Sequence, residues 1–61
     1  MTYREVVRRL MSEGWTLDRQ TGSHAVYVHA ERAGIVVIAG RPGADIPKGT
    51  LNSIKKQAGW K

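Results

Sequence analysis

The pattern of this chain predicts an α+β fold, a small domain of αβββα order with two helices on one face of a three-stranded antiparallel sheet. Three observations carry that expectation. A run of helical periodicity at the N-terminus closes on Gly14-Trp15. Three short alternating or β-branched runs follow, separated by turn residues. A second helical run then closes on Gly59-Trp60. The 61 residues read as one domain, residues 1–61, with no linker, internal repeat or low-complexity tract.

The first helix opens at Thr2, which stands at capping-box spacing from Glu5, and Tyr3, Val6, Val7, Leu10 and Met11 fall on one stripe expected to face the core. Glu5 can pair with Arg9, and Arg9 with Glu13, each worth about 0.2–0.5 kcal/mol. Arg4 and Arg8 stand one turn apart without a local partner, which makes both candidates for phosphate contact. Gly14 is expected to end the helix in a left-handed conformation, with Trp15 packing back onto it, and Gly59 and Trp60 repeat the device. Residues 15–20 alternate as a first strand, and Thr21-Gly22 supplies a hairpin turn. In the second strand, about residues 23–30, Val26 and Val28 take one face and Tyr27 and His29 the other.

Residues 31–34 read as a turn before a third strand at 35–39, which is apolar on both faces. Helices covering one side would leave either Ile35 and Val37 or Val36 and Ile38 facing outward, a strip suited to a protein partner. Residues 40–45 are loop-like. Pro47 suits the start of a final helix running to about Ala58, with Ile46, Leu51, Ile54 and Ala58 turned inward. Gly49 near its start leaves backbone amides open to a phosphate, Lys48 lies beside it, and Lys55-Lys56 extend the positive charge.

Ten Lys and Arg against five Asp and Glu give a net charge of +5, which on so small a surface favours an anionic partner, nucleic acid first among them. A chain that is 41% hydrophobic and 25% charged is composed like a soluble globular domain. Without cysteine there can be no disulfide and no thiolate metal site, which fits a reducing compartment. No apolar run approaches the ~20 residues of a membrane span. Arg4-Glu5 interrupts any signal-like core at the N-terminus, so a cytoplasmic location away from membranes is expected. The two histidines are five residues apart on one strand and point to opposite faces. The acids Glu5, Glu13, Asp18, Glu31 and Asp45 form no ligand pattern, so neither a metal nor another cofactor is expected.

Two separated motifs stand in order along the chain. The first is Gly22-Ser23-His24 followed by Tyr27. The second is Lys48-Gly49-Thr50-Leu51 with Ser53-Ile54, ending Lys56-Gln57-Ala58-Gly59. Preceded by a helix and Glu13-Gly14-Trp15, this arrangement resembles the HicA, or YcfA-like, family of bacterial toxins over nearly the whole chain. The resemblance implies a fold like the double-stranded-RNA-binding domain. It also implies an mRNA interferase, held in check by a HicB-type antitoxin that brings any oligomerisation with it. The family's catalytic histidine maps onto His24. Many relatives carry a proline and then a histidine after the third strand, where this chain has Ala39-Gly40-Arg41-Pro42, so no second histidine is carried over from that loop.

The chemistry asks little of a small protein. RNA supplies its own nucleophile, the 2′-hydroxyl, so the protein needs an acid or base and cations for the charge gathering on phosphorus. With no thiol in the chain, the histidines are the side chains suited to exchange protons near neutral pH. By parity His24 shares a face with Val26 and Val28 at the end where that face meets the rim, accessible yet partly desolvated. Ser23 fits a hydrogen-bonding turn residue better than a nucleophile, and Arg19, Arg41 or Lys48 can steady the phosphate. The RNA-contact set is thus Arg4, Arg8, Arg19, Ser23, Arg41, Lys48, Lys55 and Lys56, and the antitoxin-contact set is Tyr27, His29, Val36 and Ile38. The competing expectation is a module that binds double-stranded RNA through Arg4, Arg8, Lys48, Lys55 and Lys56 without turnover, or a degenerate toxin acting only inside its antitoxin complex.

Overall fold

The order of elements follows from how each helix is started and stopped. In the computed structural model, which describes residues 1–41 and 43–60, helix α1 spans Tyr3–Ser12. Pro42, in the expected loop, and Lys61 lie outside the described residues. At its start the Thr2 amide donates to Glu5 Oε1 at 2.8 Å and the Glu5 amide donates to Thr2 Oγ1 at 3.1 Å, a complete capping box. Such a cap is worth about 0.5–2 kcal/mol. Strands β1 (Trp15–Thr21), β2 (His24–His29) and β3 (Arg32–Ala39) form an antiparallel sheet in the order β1-β2-β3, and helix α2 covers Lys48–Ala58. The fold is therefore the expected small α+β domain of αβββα order.

The core lies between the helices and one face of the sheet. Tyr3, Val6 and Leu10 of α1 and Ile54 and Ala58 of α2 meet Trp15, Ala25, Tyr27, Val36 and Ile38, closed by Ile46 and Trp60. Each large apolar side chain removed from water there contributes about 1.5–3 kcal/mol. Met11 departs from the expected stripe. It is 57% exposed, because α1 ends within a turn of it and the stripe runs past the sheet. Strand β3 starts at Arg32, three residues earlier than its apolar run suggests. Ala33 and Gly34 lack partners on β2, yet Arg32 pairs with His29 and its Nη1 donates to the Ala58 carbonyl at 2.8 Å.

Both helices point their N-termini to one end of the sheet. Ser23 and the end of β3 are joined there by a bond from the Gly40 amide to the Ser23 carbonyl. The segment leading to α2 is tied to the start of α1 by Tyr3 N–H to Ala44 O at 2.8 Å and Ile46 N–H to Met1 O at 3.0 Å. At the opposite end the C-termini of α1 and α2 meet through Trp60, whose indole N–H donates to Glu13. Among the described residues, no helix is long and apolar enough to cross a membrane.

Candidate active site

A β-bulge builds the site. By strict alternation from Trp15, residues 17 and 19 of β1 would also face the helices, and the Arg19 guanidinium would lie against the core. Instead the register shifts between Leu17 and Arg19, so that Arg19 pairs with Val26 and Thr21 with His24. Cross-strand partners share a face, so Arg19 joins His24, Val26 and Val28 on the open side of the sheet. Arg19 is then the diagonal neighbour of His24, at about 7–8 Å between backbones and within reach of a long side chain.

His24 is the first residue of β2, opposite both Thr21 and Ala39, at the rim of the open face. It is exposed, and neither ring nitrogen has a hydrogen-bond partner among the described residues. Ser23 is exposed in the hairpin turn, where its carbonyl accepts from Gly40 at 3.1 Å, and this bond brings Arg41 next to the turn. Arg4, in the first turn of α1, and Lys48, the first residue of α2, belong to the same end. The N-cap of α2 is Pro47, which offers no side-chain cap, so the first-turn amides beside Lys48 and Gly49 are left without one. Two helix N-termini and four cations therefore bring positive charge to the His24 end. The motifs Gly22-Ser23-His24 and Lys48-Gly49, far apart in sequence, lie toward the same end of the sheet.

Not every candidate joins them. Arg8 is exposed one turn further along α1, near enough to Glu5 to add slightly to what Thr2 does in lowering that carboxyl below its usual range. Lys55 and Lys56 lie in the last turn of α2, roughly 10 Å of helix rise from Lys48.

The expected antitoxin contacts are corrected by the packing. Tyr27 is 5% exposed and Val36 and Ile38 are fully buried, so these three form the core beneath the helices and are not an outward strip. The outward pair is Ile35, 48% exposed, and Val37. His29 likewise faces the helix side. Its Nε2–H donates to the Glu13 carbonyl at 2.8 Å, its Nδ1 accepts the Glu31 amide at 3.0 Å, and its ring meets Trp15 edge-on with centroids 5.2 Å apart. Both ring nitrogens are thus engaged by backbone groups.

A hollow of about 640 Å³ lies at the His29 end, lined by Arg9, Trp15, Arg32 and Trp60 among others. Both of its arginines are already engaged: Arg9 stacks 4.1 Å above the Trp60 ring and pairs with Glu13, and Arg32 holds the Ala58 carbonyl. We therefore place the candidate site at the other end, around His24. Among the described residues, no three His, Cys, Asp or Glu side chains come together as a metal cluster.

Fold and site define a class: a small basic αβββα domain with an exposed histidine at the cation-rich end of its sheet. Residues 3–60 match the family model described as "HicA toxin of bacterial toxin-antitoxin", and the chain belongs to the HicA toxin family. A comparison with curated proteins returns no match. Missing from the sequence expectations were the bulge at Asp18, signalled only by an arginine in a core-facing phase, and the Trp60 contact with Glu13, which spans most of the chain.

Proposed function

We propose that this toxin is an endoribonuclease that cleaves mRNA and so stops translation, with His24 as its general acid or base. The observation that carries the proposal is the contrast between an exposed imidazole at His24, without a hydrogen-bond partner among the described residues, and an engaged one at His29. His24 takes the proton of a ribose 2′-hydroxyl, the oxygen attacks the adjacent phosphorus, and the bond to the 5′-oxygen breaks. A 2′,3′-cyclic phosphate and a 5′-hydroxyl result, with the leaving oxygen receiving its proton from water or from the same imidazole. Arg19, Arg41 and Lys48 stabilise the charge that gathers on the phosphoryl oxygens. In our proposal the cleavage needs no metal ion.

The antitoxin of this pair is, in our proposal, of HicB type and acts in the cytoplasm with its toxin. It covers the open face, where Val26, Val28, Ile35 and Val37 form an apolar strip leading to His24, so that one contact both hides apolar surface and blocks RNA.

Incubating wild type and His24→Ala with labelled single-stranded RNA in chelator tests the activity. Cleavage by wild type alone, with RNA binding kept by both, is expected. RNA bound but cut by neither protein makes the domain a binding module, and activity that needs added magnesium overturns the metal-free mechanism.

A further inference from the structure

A second recess opens at the His24 end, on the helix side of the sheet. It is a groove of about 240 Å³ lined by Tyr3, Arg4, Val7, Gln20 and Tyr27. Its floor is aromatic, since Tyr3 and Tyr27 are both core residues, 8% and 5% exposed. Neither phenol hydroxyl has a hydrogen-bond partner among the described residues, yet no buried side-chain oxygen or nitrogen is left without one. Both hydroxyls therefore reach the surface, and the groove is the recess that the two residues share. Burial raises the Tyr27 phenol above its usual range, and the charge of Tyr3 adds to the effect. Arg4 and Gln20 are exposed on the groove's rim, and neither side chain has a partner among the described residues.

A guanidinium, a carboxamide and two hydroxyls thus line one groove, none of them with a side-chain partner among the described residues. A bare phosphate or carboxylate would take only donors, from Arg4, the Gln20 amide and the hydroxyls, and leave the Gln20 carbonyl oxygen unmatched. A planar heterocycle with donors and acceptors along its edge would use the rings and all four polar groups. The position fits as well. Gln20 pairs with Ala25, the row next to Thr21 and His24, on the opposite face. Strand β1 is an outer strand of the sheet, so a single strand crossing its edge reaches His24 and Arg19 on one side and the groove on the other.

We infer that this groove holds one unstacked nucleobase beside the linkage that is cut, and that Gln20, Arg4 and the Tyr27 hydroxyl set which base is preferred. The inference rests on RNA being the ligand, as proposed above, but not on cleavage. Its test uses four fluorescent homopolymers of fully 2′-O-methylated RNA (A, C, G and U), which lack the nucleophile and remain intact. Wild type is expected to favour one base about tenfold, from one well-made set of edge contacts. Gln20→Ala and Tyr27→Phe should each shrink that preference to about threefold or less, while Lys48→Ala weakens all four oligonucleotides alike. Gln20 is exposed, and Tyr27→Phe keeps the ring in the core, so both variants fold.

Equal binding of all four bases by wild type, no binding of any, or a preference that survives both substitutions overturns the groove. If the preference is lost as expected but ordinary RNA is never cut, the nuclease proposal falls and the groove stands. If His24-dependent cleavage is found with the preference intact, the reverse holds.

Discussion

The two ends of the sheet each carry a histidine from the same strand, and they have been put to opposite uses. At one end His29 is held by two backbone groups and a tryptophan edge, where both helices finish and Trp60 is clasped by Arg9 and Glu13. Glycine is required there twice. Gly14 and Gly59 have φ of +96° and +78°, and a Cβ would come within 2.8 Å of His29 Nε2 at the first and 2.5 Å of Arg32 Nη1 at the second. At the other end His24 is exposed and has no hydrogen-bond partner among the described residues, and both helices begin toward that end with a cation in the first turn. The difference teaches how a small chain divides its work. One end pairs its polar groups with each other and holds the fold, while the other keeps its polar groups exposed.

Substitutions at the clasped end should damage stability and little else. Trp60→Ala has the largest expected effect, about 3 kcal/mol, since it removes a buried indole, its stacking with Arg9 and its bond to Glu13. Thermal unfolding should show the variant largely unfolded at 37 °C, and a wild-type melting curve would break the comparison. His29→Ala should follow with a loss of about 2 kcal/mol, from two hydrogen bonds and an aromatic contact. Denaturant midpoints measure it, and a loss no larger than that of His24→Ala would mean that the ring's partners contribute nothing.

On the open face, Ile35→Glu should weaken antitoxin binding about tenfold, as a charge placed in a buried apolar contact. Toxin stability should stay within about 0.5 kcal/mol of wild type. Titration with the purified antitoxin decides this, and an unchanged affinity removes that face from the complex.

The smallest effect belongs to the cap of α1. Bonds from Thr2 hold the Glu5 carboxyl below its ordinary value of 4.5. A group whose folded-state value is depressed contributes stability above the unfolded value and loses it as pH falls through the folded one. Wild type should therefore lose a little stability below about pH 4.5 that Glu5→Gln, measured in the same melts, does not lose.

Much of this was legible in the chain because it is local. The capping box, the two Gly-Trp closures and the parity that sends His24 and His29 to opposite faces each depend on a few adjacent residues. The third strand was not legible in the same way. With apolar residues on both faces, 35–38 carries no alternation to say which pair is covered, and only the packing of α2 decides for Val36 and Ile38. The same holds for Tyr27 and His29: parity separates two faces but does not say which one the helices take. Likewise Arg19 reaches the His24 face through a register shift that no composition rule marks.

The division between the two ends can be tested in one comparison. RNA cleavage rates are measured for wild type, His24→Ala and His29→Ala at a temperature where all three are folded. Loss of His24 should lower the rate about a hundredfold or more, as expected for removal of a general acid or base, while folded His29→Ala cuts at the wild-type rate. A His24→Ala protein that cleaves normally, or a folded His29→Ala protein that does not cleave, would contradict the account.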